Sequence, residues 1–316
     1  MVTPTESESL DEQGFEGSDY HVPVLFRESL DALQIKPDGI YVDATFGGGG
    51  HSRGILSRLG PNGKLVVFDQ DEAAQRNLPN DKRVLFVPHN FRHLQRFLRL
   101  YEFAAVDGIL ADLGVSSHQF DEAERGFSIR FEGPMDMRMD QRQPITAAQV
   151  VLTYDEQRLQ KLFEQYGEVT NARTLARRIV SERAVRPMET ISQFKEAIRS
   201  DVKGNPQKYF AQVFQALRME VNDETGALQA LLEQSVDLLK PGGRIAIITF
   251  HSIEDRLVKN FFRSGRFQEE DPADLFGNRT RSPLQVITKK PVIPLENEYR
   301  SNPRSRSAKL RIAQKL

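Results

Sequence analysis

The sequence predicts an α/β fold, a doubly wound sheet of about seven mostly parallel strands interrupted by a helical subdomain. Three observations carry that expectation. Short apolar stretches alternate with stretches of helical spacing between residues 40 and 114. The alternation stops from 124 to 215, where the chain is mostly helical in character. It then resumes with a long helix, a strand, a further helix and two closing strands.

The elements follow in order. "IYVDATF" (40–46), "KLVVFDQD" (64–71), "RVLFVPHN" (83–90) and "DGILADLG" (107–114) are short, apolar and rich in β-branched or aromatic residues, as strands buried on both faces are. Residues 52–59, 71–77 and 91–101 between them have helical spacing. In the insertion, "YDEQRLQKLFEQYG" and "NARTLARRIVSERAV" mark helices. Pro134, Pro144, Gly167, Pro187, Gly204 and Pro206 break it into segments. A long helix from Asp223 to Lys240 should end at Pro241-Gly242-Gly243, which cannot continue it. "RIAIITF" (244–250) reads as a strand, Ile253 to Phe262 as a helix, and "LQVITKK" and "SAKLRIAQKL" as the last two strands. The expected organisation is an acidic leader over 1–20, a first part of the sheet domain over 21–123, the helical subdomain over 124–215 and a second part over 216–316.

Charge is nearly balanced, with 43 Lys plus Arg against 44 Asp plus Glu, so the chain is no global polycation. The first twenty residues hold six acids and no Lys or Arg, which predicts a solvated leader without fixed structure. From Lys289 to Leu316 there are eight Lys or Arg against two Glu, a basic end suited either to phosphates or simply to solvent. The absence of cysteine excludes disulfides, thiolate metal sites and a Cys nucleophile, and fits a reducing compartment. No metal is expected. The N-terminus lacks the basic-then-apolar pattern of a signal peptide, and no apolar run approaches the roughly 18 residues of a membrane span. The expected location is therefore the cytoplasm, with no membrane partner.

The first strand runs into four glycines, "YVDATFGGGGHSRGIL" (41–56). In a doubly wound sheet this turn is the ligand site. A phosphate P-loop needs Lys after its last glycine, and Ile55 follows Gly54. A dinucleotide fingerprint started at Gly47 or Gly48 puts Ser52 or Arg53 where Gly or Ala is wanted, which weakens that reading. An acid, three residues and then G-x-G fits better: Asp43, then Gly47 and Gly49. This resembles the first motif of class I (Rossmann-like) S-adenosylmethionine-dependent methyltransferases, whose turn holds the methionine part. Asp69 closes the second strand, where an acid accepts ribose hydroxyls in NAD enzymes and methyltransferases alike; the other reading makes it a helix cap before "DEAAQRN". Asp112 ends the fourth strand, where such methyltransferases bring cofactor and acceptor together.

Longer stretches are more specific. "HVPVL" (21–25), "TFGGGGHS" (45–52), "DGILADLGVSS" (107–117), "ERGFS" (124–128) and "GPMDMRMD" (133–140) come first. "FQALRMEVNDE" (214–224), "LKPGGR" (239–244), "TFHSIEDRLVKNFF" (249–262) and "NPRSRSAKLRIA" (302–313) follow. From His21 to Ala313 the chain closely resembles the bacterial MraW/RsmH family, the small-subunit ribosomal RNA cytosine-N4 methyltransferases. The resemblance implies S-adenosyl-L-methionine as cofactor and a decoding-centre cytidine of 16S rRNA as target, within the small subunit or its precursor. It implies a substrate-recognition role for the insertion. It also implies cofactor contacts from Gly47, Gly49, Gly50 and His51 in the turn, Asp69 at the ribose, Phe91 at the adenine, and Asp112 and Gln119. His118 stands where the family often has proline, a departure at the loop that carries Gln119.

Cytosine-N4 chemistry adds its own requirements. The amino lone pair is delocalised into the ring, so transfer needs in-line positioning and an acceptor that draws the amine towards sp3 character. Many amino-methyltransferases place D/N/S-P-P-Y/F at the fourth strand end; here the stretch is "DLGVSS". Asp112 is the expected polar group nearest the amine, with Ser116, Ser117 and His251 as second contacts. His251 reads equally as a cap for "SIEDRLV". Arg300, Arg304, Arg306 and Lys309, with the insertion, are the candidate RNA contacts. Two other classes stay open on the residues. One is a small-molecule methyltransferase or NAD-linked oxidoreductase on a similar sheet, which needs neither the basic end nor the insertion. The other is a non-catalytic ribosome-assembly factor. Oligomeric state is open, a homodimer included.

Overall fold

Strands β1 (Ile40–Asp43), β2 (Lys64–Phe68), β3 (Val84–Val87), β4 (Val106–Asp112), β5 (Leu239–Thr249), β6 (Leu284–Val286) and β7 (Lys309–Lys315) form one sheet in the order β3-β2-β1-β4-β5-β7-β6. The structure is a computed structural model that describes residues 23–267 and 282–316; the acidic leader expected over 1–20 lies outside them. Strands β1 to β5 pair in parallel, and β7 is antiparallel to both β5 and β6. The chain builds outward from β1 to β3 and then returns to set β4 on the other side of β1. Open α/β sheets bind ligands at such a switch point, outside the carboxyl ends of the strands. The turn after β1 and Asp112 at the end of β4 both stand there.

Tyr41, Val42, the run Leu65 to Phe68, Ile109 to Ala111 and Ile245 to Ile248 are all fully buried. Because successive side chains point to opposite faces, Val42, Val66 and Ile109 join one apolar cluster while Tyr41, Leu65 and Leu110 join another. The strand expected from residue 244 instead starts at Leu239 and contains Pro241-Gly242-Gly243. Val106 pairs with Leu239 but Gly108 pairs with Arg244, so the register jumps across a bulge, with Gly242 at φ 79°.

Helices α1 (Phe26–Leu33), α2 (Gly50–Arg58) and α3 (Leu94–Leu100) belong to the sheet unit. Helix α1 contributes Leu30 and Leu33 to one face and α2 adds Ile55 and Leu56, while α3 sets Leu94 and Leu98 on the other. The helix expected over 71–77 is a 3-10 turn (Glu72–Asn77), and 91–101 opens with another (Phe91–His93).

Residues Val115–Gly226 form a second compact unit; the sheet unit comprises the described residues before and after it. It holds α4 (Ser117–Asp121), α5 (Ala147–Thr153), α6 (Glu156–Gly167), α7 (Ala172–Glu182), α8 (Ile191–Ala197) and α9 (Pro206–Asn222). Leu159, Leu162 and Phe163 of α6, Leu175 and Ile179 of α7, Phe194 of α8 and Val213, Phe214 and Leu217 of α9 share its core. Capping boxes at Ser116/Gln119, Thr146/Gln149 and Thr190/Gln193 start three of these helices. The unit is longer at both ends than the expected 124–215. At its C-terminal end, α9 runs on to Asn222, whose side chain accepts from the Met139 amide and donates to the Met137 carbonyl, both at 2.7 Å. "MDMRMD" is a loop, with Met135, Met137 and Met139 buried and Arg138 forked onto Asp136. Helices α10 (Glu224–Leu238), α11 (Ser252–Ser264) and α12 (Glu296–Ser301) are the remaining α-helices among the described residues.

Candidate cofactor and active site

The turn after β1 is built on Asp43, which is 1% exposed. Its Oδ1 accepts from the Thr45 amide at 3.1 Å and its Oδ2 from the Ser52 hydroxyl at 2.6 Å. Ser52, the residue that weakened a dinucleotide fingerprint, is thus the partner of the strand-end acid. The Gly47 amide donates to Asp69 Oδ2 at 2.7 Å, and the Asp71 amide donates to Asp69 Oδ1 at 2.8 Å. Asp69 therefore ties the turn to the end of β2. The following 3-10 turn is capped by Asp71, not Asp69. Gly49 precedes α2 at φ 74°, and a Cβ there would lie 2.9 Å from the Phe46 ring. A Cβ on Gly50 would run into the Pro23 ring.

His51 is buried on the first turn of α2, and capping is not its role: its Nε2 lies 3.2 Å from the Val24 carbonyl oxygen. Burial lowers its pKa to about 4. Its Nδ1 lies 3.8 Å from Asp112 Oδ2. The Asp112 amide donates to the Thr45 hydroxyl at 2.7 Å, which couples the end of β4 to the turn. Burial, with Asp43 and Glu254 nearby, pushes the Asp112 carboxyl up to about 8. Burial also raises Asp69 to about 6 and pushes Asp43 upward.

Buried Asp112 Oδ1 has no hydrogen-bond partner among the described residues. An orphaned carboxylate oxygen, in the field of two further acids, favours a cation or a hydrogen-bond donor. A pyrophosphate would meet repulsion there. S-adenosylmethionine carries a sulfonium, an α-ammonium and a ribose diol, and these match the carboxylates gathered at Asp43, Asp69 and Asp112. Asp69 already accepts two amide hydrogens, and a carboxylate has lone pairs left for hydroxyls. The residues present fit this cofactor.

The other expected residues fall as follows. Phe91 is half-buried and packs against the sheet core just after β3. His251 caps α11: its Nδ1 accepts from the Glu254 amide at 3.5 Å, and Glu254 Oε2 accepts from the Phe250 amide at 2.9 Å. Its Nε2 lies 3.1 Å from Glu254 Oε1. Ser117 opens α4 in the second unit. Gln119 is buried in that unit's first capping box, its Oε1 accepting from the Ser116 amide at 3.1 Å. Arg304 and Arg306 are exposed on a 3-10 turn, Arg300 pairs with Glu296 at 2.6 Å, and Lys309 lies 3.3 Å from Asp255. Sequence reasoning missed Thr45 and Val24 as parts of the turn's framework, and Glu254 as an acid near Asp112. Thr45 and Val24 stood inside quoted motifs, but nothing in their spacing marked a contact.

The MraW methylase family model matches residues 18–316. A protein of Bacteroides fragilis named ribosomal RNA small subunit methyltransferase H is 54% identical over 301 residues, covering 95% of this chain and 99% of its own. Proteins of the same name from Bacteroides thetaiotaomicron and Flavobacterium johnsoniae are 53% identical over 297 residues and 52% identical over 299. Each covers 94% of this chain, and 97% and 98% of its own length. With its glycine turn, strand-end acids and near-complete match, the chain belongs to the MraW methylase family.

Proposed function

We propose that this methylase transfers the methyl group of S-adenosyl-L-methionine to the N4 amino group of a cytidine in the decoding centre of 16S ribosomal RNA. Relatives that share more than half of their residues with it are named small-subunit ribosomal RNA methyltransferases. The observation that carries the chemistry is the unpartnered oxygen of Asp112 at the switch point of the sheet.

The cofactor supplies an electrophilic methyl on a sulfonium. The glycines let the backbone approach it closely, and Asp69 takes the ribose hydroxyls. Phe91 offers an apolar face for the base. Asp112, once ionised, accepts a hydrogen bond from the amine and so loosens its lone pair from the ring. A cation beside Asp112 favours the ionised form. The resemblance adds Ser117 and Gln119, which lie on α4 of the second unit. The target base reaches the pocket unstacked, either flipped or already single-stranded. Arg300, Arg304, Arg306 and Lys309 are assigned to the RNA backbone. The exposed Arg300–Glu296 pair is of a kind that contributes little by itself and is readily exchanged for a phosphate.

The test is to incubate the protein with methyl-labelled cofactor and, separately, undermethylated small subunits, naked 16S RNA and a pool of small metabolites. Label in RNA supports the proposal. Label only in small molecules, or RNA binding without transfer, overturns it.

A further inference from the structure

The segment 23–25 joins the glycine turn to the C-terminal part of the chain. Pro23 occupies the space that a Gly50 side chain would need. The Val24 carbonyl faces His51 Nε2 at 3.2 Å. The Leu25 amide donates to Glu298 Oε1 at 2.7 Å, a contact spanning 273 residues of sequence. Leu25 is fully buried and sits at φ 51°, a left-handed conformation that L side chains rarely adopt. Something outside the segment must hold it there, and the Glu298 carboxylate on α12 makes that contact.

A carbonyl only accepts, so the contact to Val24 requires the His51 proton on Nε2. The lone pair is then on Nδ1, the atom 3.8 Å from Asp112 Oδ2. We infer that Glu298 is a positioning residue of the cofactor site: by holding the Leu25 amide it aims the Val24 carbonyl, which selects the His51 tautomer and turns its bare nitrogen towards Asp112. The inference rests on reading the turn after β1 as the cofactor site. Glu298 touches neither His51 nor any reacting atom, and its influence passes through the backbone of two residues.

The experiment compares the full chain with E298A and E298Q by calorimetric titration of S-adenosylmethionine and by nitrogen NMR of the His51 ring without cofactor. Glutamine keeps an oxygen that accepts the same amide, so E298Q should match the wild type in both. E298A should weaken cofactor binding about tenfold, the scale of a lost hydrogen bond to a charged group, and give His51 mixed tautomers. A merely stabilising Glu298 would lower the melting temperature of E298A and leave the tautomer alone. Unchanged tautomer and unchanged affinity in E298A overturn the inference. If E298A does not fold, E298D, whose shorter arm cannot make the contact, carries the same comparison. A wild-type chain that binds no cofactor would refute the cofactor site itself, while the tautomer measurement would still decide the role of Glu298.

Discussion

His51 Nδ1 lies 3.8 Å from Asp112 Oδ2, yet near neutral pH the two do not form an ion pair. Burial holds the imidazole down to about 4 and the carboxyl up to about 8, so both are mostly uncharged at pH 7 in the cofactor-free protein. The pair is a receptor for charge rather than a neutralised bridge.

The first consequence is a stability cost that rises with pH. An unfolded Asp ionises at about pH 4. Folded Asp112 ionises at about 8, so between these values the folded state holds more protons than the unfolded state. Stability from this group is complete below about pH 4 and is lost as pH climbs towards 8. Replacing Asp112 by Asn removes that loss. Without cofactor, D112N should melt at or below the wild-type temperature at pH 4 and above it at pH 8. A difference that does not change with pH would sink this reading.

Cofactor binding should release protons. A cation placed beside Asp112, and hydroxyls donated to Asp69, both favour the ionised carboxylates. Titrations at pH 7 in buffers of different ionisation enthalpy should show release of up to about one proton, mainly from Asp112, falling towards none by about pH 9. Uptake of protons, or none exchanged at pH 7, would contradict the assignment of Asp112 to the cofactor side of the site.

Ser52 tests the architecture of the turn. Its hydroxyl donates to buried Asp43 at 2.6 Å. Losing it in S52A should destabilise the protein by about 1–3 kcal/mol. S52G, which restores a dinucleotide-like glycine, should cost at least as much, since glycine inside a helix adds about 1 kcal/mol. Denaturant midpoints of both variants check this, and a stability-neutral S52G would mean that the Asp43 contact is dispensable.

His251 separates capping from chemistry. Asn is among the strongest N-caps, whereas Ala costs about 1 kcal/mol at such a position. H251A should lower stability by about that amount, and H251N should keep both stability and transfer rate. A rate that falls in H251N while its stability holds would put His251 in the reaction.

The sheet was legible because strands buried on both faces leave runs such as "KLVVF" and "RIAIIT", and because a glycine turn follows the first of them. The strand-end acids were legible for the same reason: Asp43, Asp69 and Asp112 each interrupt an apolar run. The contacts that organise them were not. Ser52 looked like a failed glycine because its partner, Asp43, lies nine residues back in the chain and across a turn. Val24 meets the turn at His51, and Glu298 meets Leu25, only through tertiary packing, at separations of 27 and 273 residues, where spacing carries no signal. The bulge within β5 was hidden because Pro-Gly-Gly ordinarily ends an element, and here it is accommodated by a jump in register. The charge states were hidden too, since burial and neighbouring acids, not residue type, set them.

The most direct measurement is the identity of the product nucleoside. After transfer to undermethylated small subunits, the 16S RNA is digested to nucleosides and the labelled one is compared by chromatography and mass with N4-methyl, 5-methyl and ribose-methylated cytidine. The predicted result is N4-methylcytidine, made by the wild type and strongly reduced in D112N. Label in 5-methylcytidine or in a ribose methyl, or an unimpaired D112N, would contradict an enzyme that works through Asp112 on an exocyclic amine.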